Sequence, residues 1–237
     1  MYYKTDICDL CSEQCREAYW IEIICKSGEK KDYFVCEACE YKDTFLDLTP
    51  DISVILNVDR DHMEYFKTLE NLEASFRKFA DMSTKAVIYN GDDKNTLDSI
   101  KGISEGKTMI SFGSNDSCKY VAKNLGYNNG AFPCYDLYID GEYKCRIELS
   151  VPGDHNVLNS LAAIASAMYC GASVEQCKNS ILTFKGAGRR FEFLGTYNGA
   201  DIVDDYAHHP AELEVTLSAA KKMDYNRVWA VFQPFTF

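Results

Sequence analysis

Five short stretches of this chain carry residues able to do chemistry. They are CEACEY (Cys36–Tyr41), NVDRDH (Asn57–His62), PGDHNVLN (Pro152–Asn159), GRRFEFLG (Gly188–Gly195) and DDYAHHP (Asp204–Pro210). Aspartate and histidine pairs at the ends of apolar runs are suited to holding a divalent metal or a phosphate. A carboxylate at the C-terminal edge of a strand is well placed for magnesium, which takes hard oxygen ligands and keeps some of its water. Arg189 and Arg190 can turn a guanidinium toward phosphate with a geometry that lysine does not reproduce. Each stretch also has a plainer reading: surface acids, a loop histidine, a helix-start histidine followed by a buried asparagine.

Positioning these groups requires a sheet. Apolar runs at Tyr33–Cys36, Ser53–Asn57, Ala86–Tyr89 and in KTMISFG read as strands, each followed by a polar turn. In TLENLEASFRKFADMS, Leu69, Leu72, Phe76 and Phe79 recur at spacings of three and four, which predicts an amphipathic helix with Lys78 on its surface. Tyr135–Ile139 and Tyr143–Leu149 alternate into and out of an Asp140–Gly141 turn, the pattern of an antiparallel hairpin. A helix is expected from Asp154, packed through Leu158, Leu161, Ala162 and Ala165, and a second after Ser173, a good cap. The fold class is therefore α/β: a mostly parallel sheet with flanking helices and an antiparallel hairpin. After the glycines at 186–188, strands at Phe191–Gly195 and Asp201–Val203, a helix at Ala211–Lys222 entered through Pro210, and a strand at Arg227–Phe232 read as the start of a Rossmann-like α/β domain.

Composition narrows the partners. The 237 residues carry 25 basic and 36 acidic side chains, a formal charge of −11, and no basic run. General nucleic-acid binding is disfavoured, since it requires many phosphate-neutralising cations. The start, MYYKTDICDLC, has no secretion-signal pattern, and no apolar run reaches bilayer length, so the chain reads as cytoplasmic with no membrane partner. Eleven cysteines are then expected as reduced thiols. Cys8 with Cys11 and Cys36 with Cys39 have the spacing of a four-thiolate zinc site, which leaves open a small zinc-stabilised binding module as a second reading. Oligomeric state is not legible.

The five stretches, in this order and over Lys31–Gln233, resemble the Mur ligases, and within them the branch that joins L-alanine to UDP-N-acetylmuramate. The resemblance implies an ATP-dependent ligase of peptidoglycan synthesis that uses magnesium and proceeds through an acyl phosphate. It implies Glu37 and His62 as metal ligands, with Glu40 a weaker candidate, and Asn57 along the phosphate channel. His155 and Asn159 would lie against adenine and ribose, and Arg190 on the phosphates. Asp205, His208 and His209 would act near the ribose, the phosphate and the incoming amine. A peptide-recycling ligase of the same family is the alternative. The implied domains are an ATP-binding middle domain over 31–187 and the start of a C-terminal domain over 188–237, with 1–30 left as an uncertain segment. No G-x-x-G-K-[ST] phosphate loop occurs in the chain, no sugar-binding domain precedes it, and VFQPFTF stops where the family continues. The chain by itself is accordingly expected to have little or no ligase activity.

Overall fold

The computed structural model describes residues 2–4, 18–25 and 27–233. Cys8, Cys11 and Pro234 lie outside them. Strands β1 (Tyr2–Lys4), β2 (Ala18–Ile24) and β3 (Lys30–Cys36) form a three-stranded antiparallel sheet in the order β1-β2-β3. The expectation of a buried strand at Tyr33–Cys36 needs correction, because Phe34 and Val35 are 42% and 46% exposed. The strand starts three residues earlier with Lys30, Lys31 and Asp32, all exposed, and charges cannot sit in a sheet covered on both faces. A tight turn closed by the Cys25 amide on the Glu29 carbonyl, with Gly28 left-handed at φ 83°, commits it to its neighbour β2.

A 3-10 helix follows at Tyr41–Asp47. The main sheet has six strands in the order β4 (Ile52–Ile55), β5 (Ala86–Asn90), β6 (Thr108–Gly113), β7 (Tyr120–Asn128), β8 (Phe132–Ile139) and β9 (Glu142–Glu148). The pairs from β4 through β7 are parallel, and β7, β8 and β9 are antiparallel. The crossovers are helices α1 (Met63–Phe66) and α2 (Leu69–Met82) between β4 and β5, and α3 (Lys94–Ser99) between β5 and β6. The Asn71 amide donates to Thr68 Oγ1 at the start of α2, whose Leu72 and Phe79 are buried as its spacing predicts while Lys78 is exposed. β5 is buried on both faces, as a strand inside a parallel sheet must be. At its last residue, Asn90, Nδ2 donates to the Leu56 carbonyl, and in the turn that follows Asp93 caps α3. The β8–β9 turn has Asp140 and Gly141 at φ 52° and 79°, the conformation that two-residue hairpins favour.

Helix α4 (His155–Tyr169) lies on β5 to β8 through Leu161, Ala162, Ile164 and Ala165, the two alanines letting it sit close. Helix α5 (Val174–Thr183) opens on a reciprocal cap between Ser173 and Gln176 and packs on β9. Then come the hairpin β10 (Glu192–Tyr197) and β11 (Ala200–Asp204) and helix α6 (Pro210–Lys222). Lys222 Nζ reaches Asp154 Oδ2 at 2.7 Å, tying the end of α6 to the start of α4. The strand expected at Arg227–Phe232 is not formed: Trp229 is 80% exposed and Val231 fully so. Among the described residues β10 and β11 pair with each other alone, so the segment has no ladder to join and its backbone is left to water.

Candidate functional site

A cleft of about 1240 Å³ is lined by α4, α5 and α6 and by Ile21–Ile24 at the C-terminal end of β2. Asn57, His155, Asn159, Arg190 and Asp205 all line it, although they come from four separate stretches of sequence. His155 and Asn159 are one helical turn apart and therefore share a face of α4. Asn156 Nδ2 donates to the Pro152 carbonyl at 2.8 Å, and Asn159 Nδ2 donates to Asn156 Oδ1 at 3.1 Å, so the first turn of α4 holds its own side chains in order. The His155 ring sits over Gly153, where a Cβ would lie 2.6 Å from Cε1. His155 is exposed where it lines the cleft, yet the protein around it desolvates the charged form and holds its pKa below 6.5. Asp205 and Asp154 oppose that shift, and Arg190 adds to it.

Arg190 reaches the cleft from a loop in which Arg189 and Phe191 are both left-handed, at φ 57° and 48°. Arg189 turns away, with Nε donating to Asp204 Oδ2 at 3.2 Å and the guanidinium 4.9 Å from the centre of the Tyr206 ring. Arg190 Nη1 stands 3.5 Å from Glu212 Oε1 on α6. Burial works to raise the Glu212 pKa, but the amides of His208 and His209, with Arg190, hold it below its ordinary value. Both Asp205 oxygens are taken by backbone: Oδ2 accepts from Phe191 N and Oδ1 from Ala207 N, each at 2.8 Å. His209 is the N-cap of α6, its Nδ1 accepting from Ala211 N, with Pro210 next and Glu212 completing the box. His208 Nδ1 lies 3.2 Å from the Tyr206 carbonyl and 3.6 Å from Glu212. The structure thus brings Asp205 to the cleft as the clamp of its turn, and leaves His208 and His209 off the lining.

A second group of polar side chains gathers around His62. Its Nε2 is 3.8 Å from Glu40 Oε1 and 3.8 Å from Asp61 Oδ2, and Nδ1 is 3.6 Å from Glu64 Oε1. One donor atom from each of Glu40, Asp61 and His62 lies within 4.8 Å of the others. Two carboxylates and an imidazole, partly open to solvent, fit a hard divalent cation that retains waters. Glu37 is exposed just past β3 and is not one of these three residues; the carboxylates placed beside His62 are those of Glu40, Asp61 and Glu64. Cys36 and Cys39 are not among the three either. Among the residues that sequence reasoning missed, Glu212 carried a signal, since a glutamate three residues after a cap is a known pattern. Asn156 and Gly153 carried none.

Parallel strands, a helix packed across them and a cleft beginning at that helix's first turn are the arrangement in which α/β sheets commonly bind ligands. Residues 22–167 match the Mur ligase middle domain, and residues 189–236 match the family described as Mur ligase, glutamate ligase domain. The chain belongs to the Mur ligase family. It is 44% identical over 210 residues to a UDP-N-acetylmuramate–L-alanine ligase of Caldanaerobacter subterraneus subsp. tengcongensis, covering 88% of this chain and 45% of the relative. It is 43% identical over 212 residues to the enzyme of that name from Clostridium acetobutylicum, again covering 88% and 45%. Among solved structures it is similar to a UDP-N-acetylmuramate–alanine ligase of Thermotoga maritima, with a TM-score of 0.64 and 26% identity over 76% of this chain and 40% of that one. A MurF ligase from Thermotoga maritima, solved in complex with ADP, shares the fold with a TM-score of 0.61 at 21% identity, over 74% of this chain and 40% of that one. The chain thus spans about 45% of the length of the curated relatives it matches.

Proposed function

We propose that this chain is the nucleotide-handling part of a cytoplasmic ligase that joins L-alanine to UDP-N-acetylmuramate at the expense of ATP. The observation that carries the reading is the shared cleft: Asn57, His155, Asn159 and Arg190 meet there, in a chain of this family. The γ-phosphoryl group passes to the sugar's lactyl carboxylate, giving an acyl phosphate and ADP. The alanine amine then attacks the acyl carbon and phosphate leaves. His155 and Asn159 hold the nucleoside, a neutral imidazole being the form that lies flat against a base without a desolvated charge. Arg190 meets the phosphates, and phosphate contact there competes with Glu212 for the guanidinium. His62, Glu40 and Asp61 would hold a magnesium ion, which would supply charge neutralisation for phosphoryl transfer. Domain limits at 31–187 and 188–237 belong to this proposal, as do the positions of Asp205, His208 and His209 near the reacting groups. No nucleic acid or membrane partner enters it.

The test has two arms. ADP titrated into the 237-residue chain is expected to bind saturably, and more weakly to Asn159→Ala and Arg190→Ala. Absence of binding to the parent chain overturns the cleft assignment. Turnover is measured by coupled ADP release on a protein carrying this chain together with the rest of a ligase sequence, with magnesium, UDP-N-acetylmuramate and either L-alanine or a tripeptide. Turnover with L-alanine is expected. Turnover with the tripeptide alone would favour the peptide-recycling reading, for which the likeness to a murein peptide ligase of Psychrobacter arcticus, TM-score 0.61 at 25% identity, is the supporting observation. Stoichiometric zinc lost on replacing Cys8 and Cys11 would favour the zinc-module reading instead.

A further inference from the structure

The side chain of Asp43 occupies a position that neither the cleft nor the cation group explains. Its Oδ2 accepts from the Tyr65 hydroxyl at 2.8 Å, and its Oδ1 accepts from the Ser75 hydroxyl. Asp43 stands with Lys42 at the left-handed kink that interrupts the 3-10 segment Tyr41–Asp47, which begins directly after Glu40. Tyr65 belongs to α1, which begins directly after His62, and Ser75 is a buried residue of α2, 5% exposed. One carboxylate therefore joins the segment bearing Glu40 to both helices that follow His62. Phe45, 2% exposed, reinforces the joint by stacking on Phe79 at 4.7 Å between ring centres and meeting Phe76 edge-on at 5.2 Å. The backbone bears a load here: Lys42, Asp43 and His62 are left-handed non-glycine residues, at φ 54°, 62° and 53°. Such conformations persist where surrounding contacts over-determine them. One hydroxyl donor on each carboxylate oxygen orients the side chain between the two helices.

We propose that Asp43 is the positioning residue of the cation group: through Tyr65 and Ser75 it fixes the distance between the Glu40 turn and the His62 turn. Asp43 is not among the grouped donor atoms and acts through the backbone that presents them. The inference rests on the cation reading given above. Outer partners of metal sites commonly contribute 10- to 100-fold in affinity, and an anchor acting through backbone belongs at the lower end, about tenfold.

The experiment is a Mn²⁺ titration followed by electron paramagnetic resonance on the 237-residue chain, alongside melting curves recorded in chelator. Asp43→Ala is expected to weaken Mn²⁺ binding about tenfold, and Tyr65→Phe, which removes one partly exposed hydroxyl, about two- to threefold. Lys42→Ala, a neighbour without that contact, should leave affinity within twofold. His62→Ala should abolish binding. If the parent chain binds no Mn²⁺, or His62→Ala binds as well as the parent, the cation reading itself fails. If His62→Ala abolishes binding while Asp43→Ala and Tyr65→Phe stay within twofold, the positioning role is refuted, even where both melt earlier. If Asp43→Ala does not fold, Tyr65→Phe decides by the same two thresholds.

Discussion

Gly153→Ala tests the placement of His155 more sharply than removing the histidine does. Gly153 stands at φ 100°, its amide donating to the Ala131 carbonyl at 3.0 Å, so the backbone cannot relax without breaking that bond. An alanine there would put its Cβ 2.6 Å from Cε1 and 2.8 Å from Nδ1 of His155. The two consequences are separable. Forcing a side chain into this backbone region costs about 1–3 kcal/mol. At roughly 2–4 °C per kcal/mol for a chain of this size, a cost near 2 kcal/mol lowers the melting temperature by roughly 4–8 °C. The ring must also swing by about an ångström to restore van der Waals distance, and a misplacement of that size is expected to weaken adenosine binding severalfold. Thermal unfolding by circular dichroism reads the first effect, and adenosine titration well below the transition reads the second. A variant that melts within about 1 °C of the parent would refute the backbone assignment. One that melts earlier but binds adenosine unchanged would refute the contact between Gly153 and the ring.

Three further outcomes follow from contacts described above. The pKa of His155 lies below 6.5, so the unfolded chain takes up a proton that the folded chain refuses; stability present above pH 6.5 should fall as pH drops through the folded pKa, and His155→Asn should flatten a urea-denaturation series there, above the range in which Asp98, at about 2, titrates. Ser173→Ala removes half of the reciprocal cap on α5 and should lower stability by about 1 kcal/mol, with faster amide exchange at Gln176 as the local sign. In the Mn²⁺ titration Glu40→Gln should weaken binding more than Glu37→Gln; the reverse order would return the ligand role to Glu37.

The readability of this chain followed the range of its interactions. The α2 stripe, the Ser173 cap and the Asp140–Gly141 turn are local patterns, and each formed as its sequence indicates. β7 went unread because Asn124, left-handed at φ 51°, and Gly126 interrupt its alternation at a register shift that the partner strand absorbs. The runs at Tyr33–Cys36 and Arg227–Phe232 have the right composition for strands, but burial depends on which strand lies alongside, and that is not encoded within the run. The site divides the same way. His155 and Asn159 share a face because of helical periodicity, whereas their meeting with Asn57 and Arg190 was legible through family resemblance alone. In sequence the family resemblance favours Glu37 as the ligand and leaves Glu40 a weaker candidate. The turn into the 3-10 helix separates them, since it carries Glu40 back toward His62 while Glu37 stays at the strand end.

Strand β4 has one neighbour among the described residues, β5, and so presents a row of unpaired amides and carbonyls along its other side. Val54, in this strand, and Leu56, just past it, stand about 40% exposed; Pro50 and Asp51 directly precede the strand, which itself carries no charge, proline or bulge. The strand is only four residues long, enough to offer a few ladder bonds and too short to hold a partner by backbone pairing alone. In a concentrated solution of the chain, an extended apolar segment would have to add side-chain contacts to these few ladder bonds before it could stay on this edge. A lysine at Val54 is the simplest way to deny it those contacts.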